Sequence, residues 1–454
     1  MLVRVCVGLL LLSSTVAWSQ VDVSDTEAPN ASTDETPMRT PPPVSSEPYS
    51  TTFTSETQSN TLRTGLMFST AYSDNVAGGN TASPLSDVSY SIWPTLALDA
   101  TTTRMHWALN YSPGFTIYQR ISALNQGNQN VALDLGYRLT PHVNLNLQEF
   151  FQKTSNLLNQ PNPLSSTSVS GSLSGPSVAV IAPVVEQLHN TASAQLTYQF
   201  RGDGMMGVTG TLGNLEYPNS AESSGLYNSR SVTASAFYSR RFRERYYVGA
   251  SYQYMDLAAD QAGVHTATLV TPQRTQTYIQ TVFVFCTIYL SPTWSLSLSG
   301  GPQHYEALQA PLPASQSWSP MLMASLGWQG RRTSVAASYS QSVTGGGGLA
   351  GTYHANSADV SGRWQLSRAW STGLSASYSL YKTVDPSLFS SNSGGHMISG
   401  TVSFQRPLGE RLALQIGYTR LWQNYQGIAA LSTVPGTNRA FVSISYQFVR
   451  PLKR

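Results

Sequence analysis

The chain has 454 residues, only 11% of them charged and 10% aromatic, with 35 glycines, 24 tyrosines and a formal net charge of +3. Composition of this kind, rich in Ser, Thr and Tyr, excludes a soluble α/β enzyme and favours β-structure. Length alone would allow two or three domains, but large barrels of this size commonly form one.

The first nineteen residues read as a secretory signal peptide. Arg4 supplies a positive start, Val5 to Leu12 an apolar core, and Ala17 and Ser19 the small residues a signal peptidase needs, which predicts cleavage before Gln20. A core this short cannot cross a membrane as a helix, and no later run is long enough either. The two cysteines are Cys6, lost with the signal, and Cys286, so no internal disulfide is expected. No cysteine stands at the cleavage point, which argues against a lipoprotein.

Residues 20–60 are rich in Pro, Ser and Thr and carry Asp22, Asp25, Glu27, Asp34, Glu35, Glu47 and Glu56 against Arg39 alone. Such a stretch buries too little apolar surface to offset the entropy of folding, so a disordered, acidic periplasmic segment is expected.

From Leu62 to Phe448 the chain alternates apolar and polar residues in stretch after stretch. Leu62, Thr64, Leu66, Phe68 and Tyr72 share one face of the first, and Val88, Tyr90, Ile92, Leu96 and Leu98 one face of the second. Met105, Trp107, Leu109 and Tyr111 mark the third; Val131, Leu133, Leu135, Tyr137 and Leu139 mark the fourth. Later examples run from Trp370 to Leu380 and from Ala440 to Phe448. A strand touching lipid on one side and water on the other must alternate in this way. Only a closed sheet leaves no backbone edge unpaired in hydrocarbon. The expected fold is therefore all-β: a transmembrane antiparallel up-and-down barrel over residues 61–454.

Connections alternate between short and long. Tight links near Ala100–Thr103, Thr140–His142, Arg201–Gly204, Arg241–Arg245, Ser291–Thr293, Gln329–Arg332, Ser367–Ala369 and Arg406–Glu410 read as periplasmic turns. Longer links, among them Asp74–Ser86, Thr154–Gln187 and Gln341–Thr352, read as outward loops. Together they give about eighteen strands with both termini in the periplasm, the even number bacterial barrels require. Tyr137, Phe200, Phe242, Tyr246, Trp294, Trp328, Trp364, Trp370, Phe404 and Phe448 gather at the turn side, as a girdle of amphipathic rings should.

The opposite faces should line a bore that is polar, small and nearly uncharged: Ser295, Ser297 and Ser299; Ser371, Ser375, Ser377 and Ser379; Asn144, Asn146 and Gln148. Candidate pore-lining charges are Arg63, Asp99, Arg104 and Arg138 near the periplasmic mouth, with His106, Asp134, Asp359 and Arg363 deeper. Opposite charges at membrane depth usually pair with one another, so pairing is the plainer expectation and selectivity the sharper one. Glu149 has lipid-facing parity, and the doublet Phe150-Phe151 suggests a β-bulge that re-aims it. Cys286 lies where both faces are apolar, so its orientation is open. The long loop Thr154–Gln187 holds an apolar run whose Val178, Val180, Ile181, Val184 and Val185 are candidates for a constriction folded into the bore.

Catalysis has little support. His106, His142, His189, His265, His304, His354 and His396 show no metal-binding spacing, and there is no nucleophile elbow, Walker loop or dinucleotide fingerprint. No cofactor is expected. The arginine-rich turn Arg240–Arg245 reads as a solvated rim near anionic headgroups rather than as a nucleic-acid surface.

The opening strand ending Tyr72-Ser73-Asp74-Asn75, the following Pro94-x-Leu96-x-Leu98 and the Leu109-x-Tyr111 strand resemble those of β-barrel porins associated with envelope polysaccharide genes. One departure is the end of the chain, where Phe448 is followed by six more residues instead of being terminal. The signal and the barrel pattern predict an outer-membrane location in a Gram-negative-type envelope, and the polar, nearly uncharged bore of a barrel this wide predicts passive diffusion of small hydrophilic, preferably neutral, solutes. Expected partners are outer-membrane lipid, the barrel-assembly machinery, and solutes or polysaccharide, with a homo-oligomer among the options. Exopolysaccharide export and a structural or adhesive surface barrel are the alternatives.

Overall fold

The computed structural model describes residues 42–45, 60–76, 84–159, 185–200, 203–219, 225–261, 274–308, 314–349, 351–384, 394–425 and 436–452. The first six strands are β1 (Thr61–Ser73), β2 (Asp87–Thr101), β3 (Met105–Tyr118), β4 (Gln126–Thr140), β5 (Val143–Thr154) and β6 (Gln187–Phe200). The next six are β7 (Gly204–Glu216), β8 (Tyr227–Phe242), β9 (Tyr246–Gln261), β10 (Arg274–Ser291), β11 (Trp294–Leu308) and β12 (Ser315–Gln329). The last are β13 (Thr333–Gly345), β14 (Thr352–Gln365), β15 (Ser371–Thr383), β16 (Gly395–Pro407), β17 (Leu412–Tyr425) and β18 (Gly436–Pro451).

Each strand pairs antiparallel with its neighbours in sequence, and β1 pairs with β18, so eighteen strands close into a ring. The closing seam runs from Thr61 opposite Pro451 to Ser73 opposite Arg439. Val449–Pro451 therefore extend the last ladder instead of trailing from it. Closure leaves the sheet without the open edges that hydrocarbon would not tolerate.

Alternation assigns the two faces. On β1, Leu66, Phe68 and Tyr72 are exposed on the outer wall, whereas Ser69 and Ala71 between them are buried inward. The outer surface is consequently apolar round the ring, from Ile92 and Phe115 through Val208, Val284 and Leu322 to Ile444. Near the short turns the expected aromatic girdle forms. Trp294 stacks on Trp328 at 5.7 Å between ring centroids. Arg406 lies over Trp370, Arg240 over Phe242 and Arg411 over Phe448, each at 5.4 Å. Such rings suit a boundary that is apolar on one side and wet on the other.

Two local expectations need correction or completion. No bulge re-aims Glu149: it sits opposite Leu133 and Ala192 in unbroken register, and the irregularity on β4–β5 falls at Arg138/Thr140. Its carboxylate position stays on the lipid-facing side because Phe150 takes the inward place. Cys286 aligns with Val248 and Leu298 on the outward side of β10.

Strands also run past the bilayer-matched part of the pattern. β9 extends to Gln261, β11 to Leu308 and β13 to Gly345, shortening the outward loops drawn from sequence. Hydrophobic alternation stops where lipid stops, while backbone pairing continues into water. Inside, large rings lie flat on glycine. A Cβ at Gly114 would collide with the Trp93 indole, and one at Gly249 with Phe285. Absence of a side chain at those two places lets an aromatic cover the neighbouring backbone.

Candidate pore and its closure

Much of the inner wall is hydroxyl-bearing, as its parity requires. Ser91 bonds Thr116 at 2.9 Å, Thr287 bonds Ser297 at 2.8 Å, Ser340 bonds Ser357 at 2.7 Å and Thr401 bonds Thr419 at 2.9 Å. Ser377 and Ser399 form a further pair. Directly opposed residues on neighbouring strands are close enough to satisfy one another, which lets buried hydroxyls avoid the cost of going unpartnered.

The charged candidates divide between two regions. Arg63, Asp99 and Asp134 line a pocket of about 410 Å³ on the β1–β6 wall, together with Asn110, Gln148 and Thr191. His106 Nε2 lies 3.5 Å from Asp99, and Gln148 Nε2 donates to Asp134 at 3.0 Å. Arg104 and Arg138 meet at the turn end, where the Arg138 N–H donates to the Arg104 carbonyl at 2.8 Å. Asp359 and Arg363 stand apart on β14, with Ser338 and Ser377 beside the first and Ser334 and Gly373 beside the second.

Between β7 and β12 the wall departs from the polar expectation. Met205, Phe237, Tyr247, Phe283, Phe285 and Met321 form one buried apolar cluster on the inward face, with Tyr289 and Met323 against it. This explains why both faces of Val282–Leu290 read as apolar: one meets lipid and the other this cluster. Pro42–Ser45 form a short helical turn, α1, whose Val44 packs on the same cluster. Gln195 Nε2 on β6 donates to the Val44 carbonyl at 2.8 Å and to Thr209 at 3.1 Å. The rest of the acidic segment and the signal peptide lie outside the described residues.

At the outward end the bore is crossed by protein. Only Leu322–Gln329 of β12 pair with β13, through Gln341–Ser334. Beyond Gln341, β13 leaves its neighbour and tucks inside the wall, touching β9 and β11. Val343 packs among Met255, Leu257, Ile279 and Tyr305, which face inward from β9–β11. His354 on β14 meets Ser319 at 3.3 Å and the Tyr305 ring edge-on at 6.0 Å. The connector from β13 to β14, expected as an outward loop, turns into the bore. Its tight course needs glycine: Gly347, Gly348 and Gly351 have φ of 51°, 103° and 92°, a region other residues avoid.

Leu349 is carried by that turn into an apolar cluster with Leu215, Tyr217, Leu226, Tyr353, Tyr381, Met397, Leu421 and Tyr425. Leu215 belongs to β7 and Met397 to β16, half the ring apart, so the cluster joins opposite walls. The Tyr227 N–H donates to the Gly348 carbonyl at 3.0 Å, fixing the tip to the start of β8. Burial raises the Tyr217 hydroxyl above the usual phenol range, keeping it neutral in this apolar setting. Leu158 and Val185, at the two ends of the long third loop, complete the cluster.

Of the five constriction candidates, Val185 is thus placed in the closure, while Val178, Val180, Ile181 and Val184 lie outside the described residues. Sequence reading missed Leu349 and the tucked hairpin altogether. The signal available was the inward parity of Tyr353, Tyr381 and Tyr425, bulky apolar rings where a wet bore wants small polar groups. Among the described residues no cluster of His, Cys, Asp or Glu could hold a metal ion.

No family model matches the chain, and no curated protein matches it. Among solved structures, OccK2 (OpdF) of Pseudomonas aeruginosa aligns at a TM-score of 0.43 and 10% identity, over 86% of this chain and 98% of that one. The ferric citrate transporter FecA aligns at 0.41 and 11% identity over 84% of this chain, which spans 63% of the transporter's length. The ferric-catecholate import receptor Fiu of E. coli K12 aligns at 0.40 and 10%, over 85% of this chain and 81% of that one.

Proposed function

We propose that this protein is an outer-membrane channel for small hydrophilic solutes, held shut in the conformation described. The observation that carries the reading is the combination of an apolar outer wall with a largely hydroxyl-bearing inner wall in an eighteen-stranded ring. A closed sheet of that strand number is wide enough for an aqueous channel. The mixed pocket at Arg63, Asp99 and Asp134 would weigh the charge of what passes, and uncharged solutes fit the rest of the wall best. A polar inner wall with one mixed-charge pocket favours transport over catalysis.

Planar-bilayer recording of the purified mature protein, followed by liposome swelling with a series of neutral sugars, tests this. Brief openings and size-dependent swelling are expected. A bilayer as tight as protein-free lipid, both for the whole chain and for a variant lacking Gly346–Gly351, would remove the reading. In that case the cluster around Leu349 would favour a structural surface barrel with a permanently filled interior. Polysaccharide export would instead need a bore that admits a chain of sugars, and swelling by oligosaccharides as fast as by monosaccharides would favour it.

A further inference from the structure

The ladder between β12 and β13 stops at Leu322 opposite Gln341, leaving Ser315–Met321 of β12 without a partner on that side among the described pairings. Continued in the same register, Met321 would face Ser342, Pro320 would face Val343 and Ser319 would face Thr344. Pro320 has no N–H to give, so the ladder meets a break at the point where β13 turns inward. Much of the unpaired stretch is exposed, Trp318 above all. An exposed strand edge is a ready template for another strand.

Val343 shows the other half of the relationship. Straight alternation from Val335 and Tyr339 would put it on the outward face, yet it is buried against the inner wall. There the Gln303 side chain takes the place of a strand: the Val343 N–H donates to Gln303 Oε1 at 2.8 Å, and Gln303 Nε2 donates back to the Val343 carbonyl at 3.4 Å. The backbone of β13 is thus satisfied by a side chain while a vacant backbone edge waits beside it.

We propose that the outer half of β13 is a gate strand and that the free edge of β12 is its second docking place. Tucked inside, the β13–β14 hairpin holds Leu349 across the bore. Zipped onto Ser319–Met321, β13 carries the hairpin back into the wall and draws Leu349 out of the apolar cluster. Two packings of one segment make the discrete alternatives that switching needs: the Val343 N–H is taken by Gln303 Oε1 in one and by the Pro320 carbonyl in the other, where Pro320 offers the Val343 carbonyl no donor in return. This inference rests on the channel reading above.

Two cysteine pairs in a Cys286→Ser background test it. Gln303→Cys with Val343→Cys should lock the tucked state, and Ser319→Cys with Thr344→Cys should lock the zipped one. Ser319 and Thr344, directly opposed once β13 is zipped, would lie about 4.5–5.5 Å apart at Cα, within reach of a disulfide. Both proteins are first shown to be folded by their heat-modifiable migration in gels, then oxidised and recorded in planar bilayers. Oxidation of the Ser319/Thr344 pair should raise conductance several-fold, reversed by reductant, and oxidation of the Gln303/Val343 pair should suppress openings. A folded Ser319/Thr344 variant that does not cross-link, or cross-links without a rise in conductance, overturns the gate. If the Gly346–Gly351 deletion conducts while the zipped lock does not, the gate alone falls. If neither exceeds protein-free lipid, the channel reading falls with it.

Discussion

Gln303 and Val343 exchange two hydrogen bonds across the inner wall, at 2.8 and 3.4 Å, so that one side-chain amide stands in for a neighbouring strand. Gln303 and Val343 are both buried. Gln303→Leu keeps the bulk but leaves a buried N–H and carbonyl unpaired, which costs about 1–3 kcal/mol for each group left unsatisfied. The tucked hairpin should loosen. Hydrogen exchange followed by mass spectrometry in detergent micelles should show faster exchange at Ser342–Thr344 than in the parent; unchanged protection would mean the amide pair does not hold the hairpin.

Leu349 is the keystone of the outward closure, with 2% of its surface exposed. Truncating a buried leucine to alanine costs roughly 2–5 kcal/mol, transfer and cavity together. Here that loss falls on the closed state alone, because the residue leaves the cluster when the bore opens. Leu349→Ala should therefore lengthen openings, with the barrel's stability falling by no more than the gap between the closed and open states. Leu349→Asp should do so more strongly, since a carboxylate cannot stay in that apolar setting. Single-channel dwell times read both effects, and dwell times equal to the parent's would place the constriction elsewhere.

The barrel itself was legible because two solvents, lipid and water, write opposite demands on alternate residues. Leu66, Phe68 and Tyr72 against Ser69 and Ala71 leave little room for another reading. Short turns flanked by aromatics, as before Trp294 and after Trp328, gave the strand number. The closure was not legible, because what tucks β13 inward is a failure of pairing at Pro320 and a long-range bond to Gln303, and neither leaves a local period. Val343 and Leu349 have the look of loop residues in the sequence, and their partners Tyr305, Leu215 and Leu421 stand far from them in the chain. The apolar patch at Phe283 and Phe285 left a visible trace, an uninterrupted greasy strand, whose inner half could have been assigned to the bore.

Glu149 offers a test of the lipid-facing side. It stands between Leu133 and Ala192 on the outward face of β5, with no bulge to move it. Charged groups facing hydrocarbon destabilise barrels by up to about 4 kcal/mol at mid-depth for basic residues, and acidic ones by less. Glu149→Leu should stabilise the protein, by about 1 kcal/mol on that scale. Reversible urea unfolding into lipid vesicles, monitored by tryptophan fluorescence, would show it as a raised midpoint. A lowered midpoint would place the carboxylate in a polar environment and deny it contact with hydrocarbon.

Trp93 and Gly114 provide the matching test on the inner side. The indole is fully buried and lies flat on the backbone at Gly114, which faces inward on the next strand. A side chain at Gly114 collides with the ring itself, whose position is fixed by the wall around it, so the clash cannot be relieved by bending a flexible tip. Overpacking of this kind costs about 1–3 kcal/mol. Gly114→Val should lower the urea midpoint, whereas Gly210→Val, where an added Cβ meets nothing within 4 Å on the outer wall, should leave it nearly unchanged. If Trp93 is what Gly114 exists to accommodate, Trp93→Ala in the Gly114→Val protein should cost less than Trp93→Ala alone, because the valine fills part of the space the indole vacates. A coupling of this sign in the double-mutant cycle would tie the two strands' stability to one ring resting on one bare backbone position; additive losses would mean that the glycine serves the strand's own geometry instead.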